Sequence, residues 1–252
     1  MKKTRYYSSF EDDFTTNAGQ DYTIPESYKY IRGTGFFTNA LYYFIALLGA
    51  IYLKLHLHLK IVGKEKIKKG ENYFIFGNHT QPIGDVFLPA LISFPKRFFA
   101  IVSPANLGIP ILGKLLPFIG AIPLPSSLKA MPRFASALHQ RFSEGYPIAV
   151  YPEAHVWEYM KDVRPFSDGS FQFPIKENAP VYSFTSTYQK RRFLKRPRMT
   201  VFIDGPFYPD NALSSRQSRA DLHRRVYNTM TQRAGLSDIE YIAYRPMEKK
   251  TF

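Results

Sequence analysis

The hydrophobic pattern of the chain alternates short apolar runs with amphipathic segments. Six runs, each bounded by turn-forming residues, predict buried strands. They cover residues 73–76, 98–102, 121–124, 148–151, 180–187 and 199–203. A further run at 53–61 alternates leucine or isoleucine with lysine or histidine, which is typical of a strand with one buried face.

Helical spacing appears between these runs. In one segment the apolar residues recur every four positions before a glycine, which predicts a helix with one apolar stripe and a glycine stop; these residues are Phe134, Leu138, Phe142 and Gly145. Residues 86–92 and 214–234 also predict helices. Strands that alternate with helices predict an α/β fold, and the length fits one main domain.

An uncharged stretch precedes this domain. No charged residue lies between Arg32 and Lys54, and a helix of that length would span about 30 Å, close to the thickness of a bilayer's hydrocarbon core. Its tyrosines and glycines also suit the headgroup boundary, so spanning, interfacial and buried placements stay open. We therefore predict a polar, loosely ordered cytosolic tail at 1–32, a membrane-associating segment at 33–54 and the main domain at 55–252.

The composition excludes several classes of chemistry. The chain has no cysteine, which rules out disulfides, thiolate nucleophiles and cysteine-ligated metals. No Gly-x-Ser-x-Gly elbow occurs, which disfavours a serine hydrolase. His56 and His58 share the polar face of the alternating run, but no third ligand lies nearby in the sequence. We therefore predict no metal site.

The charge balance indicates an anionic partner. Lys and Arg number 34 against 20 Asp and Glu, a formal net charge of +14, which favours lipid headgroups, nucleic acid or acidic substrates. The densest cluster is residues 190–198, called here the basic tip, in which Phe193 and Leu194 lie among the cations. This composition fits an interfacial hairpin tip, a dock for an acidic carrier protein or coenzyme A phosphates, or a solvated loop.

The strongest candidate for chemistry follows the strand at 73–76. Asn78, His79 and Asp85 place an imidazole and a carboxylate near the carboxyl end of a buried strand, where open α/β sheets bind ligands. Pro82 and Gly84 predict an irregular loop that can fold His79 and Asp85 together. The spacing allows this pair without requiring it, since both residues also suit capping roles.

Four blocks in this order resemble the lysophosphatidic acid acyltransferase (1-acylglycerol-3-phosphate acyltransferase) family. The resemblance covers about residues 55–206. The family's Asn-His-x4-Asp, its glycine-led apolar segment, its Phe-Pro-Glu-Gly-Thr with a later Arg-Pro-Phe-x-x-Gly, and its proline-led strand are matched in turn. The matching residues are Asn78-His79 with Asp85, Gly120–Leu124, Tyr151-Pro152-Glu153 with Arg164–Gly169, and Ala179-Pro180-Val181.

The resemblance implies an acyltransferase domain with a mixed sheet flanked by helices. It implies transfer of an acyl group from acyl-coenzyme A or acyl carrier protein to a lysophospholipid, with lysophosphatidic acid as the leading acceptor, at the cytoplasmic face of a membrane. No resident cofactor and no nucleic acid is implied. His79 would act as general base and Asp85 would orient it. By resemblance Glu153 would bind an acceptor hydroxyl and Asn78 would belong to the substrate site, although Glu153 also suits a helix start or a buried pair with Arg164. His155, close to Glu153, could shape a headgroup pocket. Candidate replacement cations for the headgroup phosphate, each of which also suits a solvated surface, are Arg164 above all, Lys114, Lys129 and Arg133.

Three departures bear on that assignment. Five residues, where the family has four, separate His79 from Asp85; no arginine follows Leu124 closely; and Ala154-His155 replaces Gly-Thr. The last two changes fall where the family holds glycerol phosphate. A different lysolipid headgroup, or a non-catalytic lipid-binding protein on the same fold, therefore stays open. Residues 107–117, long and apolar, suit an acyl channel, a lipid contact or core packing.

Overall fold

Most of the predicted apolar runs are strands of a seven-stranded sheet. The structure is a computed structural model and describes residues 3–14, 22–31 and 34–247. Its strands are β1 Lys3–Tyr7, β2 Lys60–Val62, β3 Phe74–Gly77, β4 Phe99–Val102, β5 Ala121–Pro123, β6 Ile148–Val150, β7 Val181–Gln189, β8 Arg198–Phe207 and β9 Ile242–Pro246. Its α-helices are α1 Phe36–His56, α2 Gly84–Ser93, α3 Leu112–Leu115, α4 Met131–Ser143, α5 Gln172–Lys176 and α6 Ser215–Ala234.

The main sheet is mixed, as predicted. Its strand order is β2-β8-β7-β3-β6-β4-β5. The five strands from β7 to β5 are parallel, whereas β8 is antiparallel to β7 and parallel to β2. The carboxyl ends of β7, β3, β6, β4 and β5 therefore share one edge, called here the carboxyl edge, where such sheets bind their ligands.

Helices cover both faces of this sheet. Phe74 and Phe76 of β3 lie in the core with α4 and α6, while Ile75 lies in the core with α1 and α2. This alternation follows from the two-residue period of a strand. Since both faces are buried, β3 is apolar at every position, which explains why its sequence showed no alternation.

The strand predicted at 53–61 is wrong over its first half. Helix α1 continues to His56, and only Lys60–Val62 is strand. Leu53 and Leu57 are both buried, whereas Leu55 is 69% exposed. The four-residue spacing of the two buried leucines places them on one helical face, so packing of that face against the core overrides the alternating pattern.

Helix α1 carries an exposed apolar stripe. Of the helices in the described residues, α1 alone is long and apolar enough to cross a membrane. It lies against α2, where Gly49 packs closely on Phe87 and the Tyr43 hydroxyl donates to the carbonyl of Pro95. The opposite face exposes Phe37, Phe44, Leu47, Leu48, Ile51 and Leu55.

The prediction of a loosely ordered tail is wrong for the described residues before α1. Strand β1 pairs in parallel with β9, and residues 3–14, called here the N-terminal strap, continue across the loop that follows β6. Residues 22–31 pack on the other face, where Ile24 and Tyr30 are buried in the core. Residues 1, 2, 15–21, 32, 33 and 248–252 of the predicted segments lie outside the described residues, and the domain division stays a prediction.

Candidate active site

Asn78 attaches the loop after β3 to the neighbouring strand β7. Its amide nitrogen donates to the carbonyl of Ser186 at 3.1 Å, and its amide oxygen accepts from the Ser186 N–H at 2.8 Å. The side chain is fully buried. Asn78 was predicted to bind substrate, but in this structure it fixes the start of the loop, so that His79 leaves the carboxyl edge in a defined direction.

The structure brings His79 and Asp85 together. Nδ1 of His79 lies 2.8 Å from Oδ2 of Asp85. The same oxygen accepts the backbone N–H groups of Thr80 at 2.7 Å and Gln81 at 2.8 Å. Asp85 is buried, whereas the His79 side chain keeps 20% of its surface exposed. A carboxylate bound by Nδ1–H leaves the Nε2 lone pair free to accept a proton.

The extra residue between His79 and Asp85 is absorbed by the loop. Pro82 and Ile83 are exposed, and α2 begins at Gly84. The Asp85 carboxylate thus lies in the first turn of α2, where the helix dipole favours negative charge. Leu53 and Leu57 approach Gly84 so closely that a Cβ there would lie 3.2 Å from either side chain, which ties the loop to α1.

Tyr151, at the carboxyl end of β6, supports this pair from one side. Its ring stacks on the His79 imidazole with centroids 4.4 Å apart and planes 24° apart. Its hydroxyl donates to the backbone carbonyl of Asp85 at 2.5 Å, and burial raises the pKa of the Tyr151 hydroxyl, which keeps it protonated as a donor. The ring and the hydroxyl therefore restrain the two residues together.

Glu153 holds the backbone of His79. Its Oε2 accepts the His79 N–H at 3.1 Å and lies 3.1 Å from Nη2 of Arg164, while its Oε1 accepts the Arg164 N–H at 3.0 Å. Burial raises the pKa of Glu153, and the Arg164 cation acts in the opposite direction. Glu153 was predicted to bind an acceptor hydroxyl; its oxygens here bind groups of the chain itself.

Arg164 is a buried structural cation. Only 1% of it is exposed, and its guanidinium donates to the carbonyls of Phe10 and His155 besides pairing with Glu153. The guanidinium also lies over the Trp157 ring, 4.8 Å from its centre. The prediction that Arg164 clamps a headgroup phosphate does not fit this placement, because solvent does not reach the cation.

The N-terminal strap encloses this buried pair through Trp157. The indole N–H donates to the carbonyl of Asp12 at 2.8 Å, and four rings surround the indole: those of Tyr7, Phe10, Phe14 and Tyr244. The backbone N–H of Trp157, in turn, donates to the backbone carbonyl of His79 at 3.0 Å. His79 is therefore held at its N–H by Glu153 and at its carbonyl by Trp157.

The remaining predicted binding residues lie on the solvent side. His155 follows Glu153 with its side chain 35% exposed, and its Nδ1 lies 3.6 Å from Oδ2 of Asp13. Lys114 is exposed on α3, and Lys129 is exposed in the turn before α4, after the carboxyl end of β5. The strand order places β5 three strand spacings from β3, about 14 Å.

Backbone N–H groups of a loop beside a histidine are natural donors to the oxyanion of an acyl transfer. Those of His79, Thr80 and Gln81 already bind the carboxylates of Glu153 and Asp85, so these three do not serve as free donors in this structure. No group of histidine and acidic residues suited to a metal ion occurs among the described residues. His56 instead contacts Arg196.

The apolar residues 107–117 form short helical turns between β4 and β5. Leu107 and Leu116 pack toward the core, whereas Ile111, Leu112 and Leu115 are exposed. Core packing therefore holds for part of this stretch, while the acyl channel and the lipid contact stay predictions for its exposed side chains.

Comparison with models of known families matches residues 58–187 to the family described as Acyltransferase. That range is slightly more than half of the chain and contains the whole His79–Asp85 arrangement. The chain belongs to the acyltransferase family. This agrees with the acyltransferase resemblance of the four sequence blocks, and it makes the chain an acyltransferase by family.

The fold of this acyltransferase is similar to a solved one. The crystal structure of the 1-acyl-sn-glycerophosphate (LPA) acyltransferase PlsC from Thermotoga maritima aligns with a TM-score of 0.59. Sequence identity is 16%, and the alignment covers 83% of this chain and 86% of that one. At this identity the likeness establishes the fold alone. No curated protein matches the sequence.

Sequence reasoning missed two parts of this site. Tyr151 was noted only as part of a motif, although a hydroxyl in place of the family's phenylalanine was a readable signal of a hydrogen bond. The strap was missed because its contribution comes from backbone carbonyls at Phe10 and Asp12, which no side-chain pattern reveals.

Proposed function

We propose that this acyltransferase moves a fatty acyl group from a thioester donor to the free hydroxyl of a lysophospholipid. The observation that carries the proposal is the 2.8 Å contact between His79 Nδ1 and Asp85 Oδ2. It gives the imidazole the tautomer of a base, next to a carboxylate that stabilises the imidazolium.

In the proposed reaction, Nε2 of His79 takes the proton of the acceptor hydroxyl as the oxygen attacks the thioester carbonyl. The tetrahedral intermediate then collapses, the carbon–sulfur bond breaks, and the imidazolium returns the proton to the leaving thiolate. Asp85 keeps the ring oriented through both steps. A general base of this kind typically contributes about 10²–10⁴ in rate. No acyl-enzyme and no resident cofactor is needed.

Lysophosphatidic acid, giving phosphatidic acid, is the leading acceptor and product of this proposal. Its support is the family together with exposed cations around the carboxyl edge, chiefly Lys129 and Arg133. Because Arg164 is buried, a headgroup phosphate would meet these exposed cations. The donor is acyl-coenzyme A or acyl carrier protein.

The proposed location is the cytoplasmic face of a membrane, with α1 lying in the interface. The support is the one-sided exposure of α1. Its buried face packs on α2, and Asn39 accepts a hydrogen bond from the buried Arg97 at 2.8 Å. A helix that is attached to the domain along one face and apolar along the other suits an interfacial position better than a spanning one.

The test is an acyl-transfer assay on the purified chain with a panel of lysolipids and both thioester donors, with products identified by mass. We expect transfer to lysophosphatidic acid, and a loss of about 10²–10⁴ in kcat for His79→Ala. Asp85→Asn should also lower kcat while leaving the circular dichroism spectrum unchanged. His139→Ala, at an exposed histidine of α4 paired with Glu177, is the matched control.

Three outcomes would redirect the proposal. Transfer that survives His79→Ala would remove the mechanism. Lysolipid binding without any transfer would favour a lipid-binding protein on the same fold. Transfer only to a lysolipid with another headgroup would keep the mechanism and replace the acceptor.

A further inference from the structure

The basic tip connects β7 to β8 at the carboxyl edge. Strands β3 and β7 are parallel, and Gly77 at the end of β3 pairs with Phe184. Strand β7 continues five residues beyond that pair, to Gln189. At about 3.3 Å per residue, the tip projects roughly 16 Å past the end of β3, on the side where His79 leaves the sheet.

The cations of the tip face solvent. Of its six Lys and Arg residues, four are exposed: Lys190, Arg192, Lys195 and Arg198. Within the described part of the chain, none of the six pairs with a carboxylate. The backbone N–H of Lys190 does donate to Asp238, which anchors the base of the tip and leaves its ammonium group in solvent.

Two apolar side chains share this surface. Phe193 is 84% exposed and Leu194 is 52% exposed. Arg192 lies 5.0 Å from the centre of the Phe193 ring. Exposing an aromatic and an aliphatic side chain within a cluster of cations is unfavourable in water and favourable at a headgroup boundary, where the cations bind anions and the apolar groups enter the acyl layer.

The tip is also continuous with the apolar stripe of α1. Arg196 Nη1 contacts the His56 ring at 2.8 Å, and the Met199 N–H donates to the carbonyl of Leu57 at 2.9 Å. The last exposed residues of the stripe, Ile51 and Leu55, lie in the last two turns of α1, next to these contacts. An acidic carrier protein would satisfy the cations, but a membrane would satisfy the cations and the adjoining apolar stripe together.

We propose that the basic tip is an anionic-lipid binding surface that makes membrane docking of this acyltransferase depend on negatively charged headgroups. It rests on the interfacial placement of α1 in the proposed function and adds lipid selectivity to it. In this arrangement α1 supplies apolar contact with any bilayer, and the tip adds an attraction that neutral bilayers lack. Docking by both would hold the carboxyl edge, with His79, against the membrane surface.

The test is vesicle co-sedimentation of the full chain with phosphatidylcholine alone and with phosphatidylcholine containing phosphatidylglycerol. The tip variant replaces four exposed cations: Lys190→Gln, Arg192→Gln, Lys195→Gln and Arg198→Gln. We expect its affinity for the anionic vesicles to fall on the order of 1,000-fold. Its affinity for neutral vesicles should be unchanged, and high salt should reduce the difference between the two vesicle types for the original chain.

The matched control removes the same charge at the opposite edge of the sheet. It carries Lys68→Gln, Lys69→Gln, Lys176→Gln and Arg216→Gln, all at exposed positions. We expect a much smaller loss of anionic-vesicle binding than in the tip variant. Equal losses in the two variants would show a general charge effect and overturn the proposal, as would unchanged binding of the tip variant.

A second pair of measurements tests whether the tip instead binds an acyl carrier protein, and whether the lipid surface stands without acyl transfer. With a lysolipid dispersed in detergent, the tip variant should keep its kcat with acyl-coenzyme A. If it binds anionic vesicles normally but loses transfer from acyl carrier protein alone, the tip is a carrier-protein dock and the lipid proposal fails. If neither chain transfers acyl groups yet the vesicle results hold, the proposed function fails while the lipid surface stands.

Discussion

The two sides of His79 differ sharply in how their charged residues are held. On the inner side, Glu153, Arg164 and Trp157 are buried and contact one another. Glu153 and Trp157 also bind the backbone of His79. On the outer side, Lys114, Lys129 and Arg133 are exposed to solvent. The inner side therefore fixes the geometry of His79, the proposed base, whereas the outer side supplies charge at the surface.

This difference separates catalysis from recognition. Charges in a buried pair act at low dielectric and tolerate no loss of a partner, whereas exposed cations are screened by water and salt. In the structure Glu153 and Arg164, which belong to the motif blocks, hold the backbone of His79, the proposed base, and each other. Charged headgroups would be met by side chains that the motifs do not contain.

The largest effect should come from breaking the inner pair. Arg164→Met removes the cation and leaves the Glu153 carboxylate buried without it, which should lower the free energy of unfolding by roughly 3–5 kcal/mol. Urea unfolding followed by circular dichroism measures this change. Arg133→Gln, at an exposed arginine, is the control and should change stability by less than about 0.5 kcal/mol.

The same variant has a local reporter. Trp157 is the chain's single tryptophan, and its ring lies between Arg164 and the strap. Loss of the Arg164 contact with the Phe10 carbonyl should loosen the strap, so the folded variant should show red-shifted tryptophan emission. An unshifted emission with native stability would show that the inner side does not depend on this cation.

Removing the Tyr151 hydroxyl should have an intermediate effect. Tyr151→Phe keeps the ring on His79 but loses the hydrogen bond to the Asp85 carbonyl, a change worth about 1 kcal/mol. If that bond positions the catalytic pair, kcat falls about fivefold with KM unchanged. Tyr227→Phe, at a ring stacked on His223 on the other face of the sheet, serves as the control. A KM change without a kcat change would assign Tyr151 to substrate binding.

A gain in stability is expected at Ala154. This residue has φ of 63°, a left-handed conformation that costs a residue with a Cβ roughly 1–2 kcal/mol. Ala154→Gly removes that cost and should stabilise the fold by about 0.5–1 kcal/mol, after the extra entropy of glycine in the unfolded chain. Ala135→Gly within α4 should destabilise by about 1 kcal/mol. The opposite signs are read from thermal unfolding of the two variants.

The smallest effect should come from the outer side. Lys129→Gln and Arg133→Gln remove exposed cations that follow β5, a strand about 14 Å from β3. Such a position suits attraction of an anionic acceptor more than clamping of it. Each should lower kcat/KM for lysophosphatidic acid by a few-fold at low salt, with the difference lost at high salt. A large loss that persists at high salt would show direct contact with the headgroup, and the contrast between the two sides would fail.

The sequence predicted the parts of this fold that depend on local pattern. The sequence indicated three consecutive elements: the apolar strand Phe74–Gly77, the loop with Pro82 and Gly84, and the helix that follows. It could do so because burial, turn formation and helix length depend on residues that are neighbours in the chain. The sequence allowed a contact between His79 and Asp85 but did not require it, because the path of an irregular loop depends on the residues that pack against it.

The wrong predictions concern segments whose structure depends on tertiary contacts. Alternation at 53–61 suggested a strand, but burial of Leu53 and Leu57 together selects a helix. Arg164 was assigned to substrate because a sequence does not show that a cation is enclosed. The strap was read as a tail since its residues are polar overall, and its partners, Trp157 and β9, are distant in the chain.

The parallel pair of β1 with β9 has a consequence for synthesis of the protein. Lys3 pairs with Ile242 and Tyr7 with Pro246, so β1 leaves the ribosome long before its partner strand. Until β9 is made, Tyr7, Phe10 and Phe14 lack it beside them, and the loop carrying Glu153 lacks its cover. The enclosure around His79 is therefore completed only after β9 has been translated.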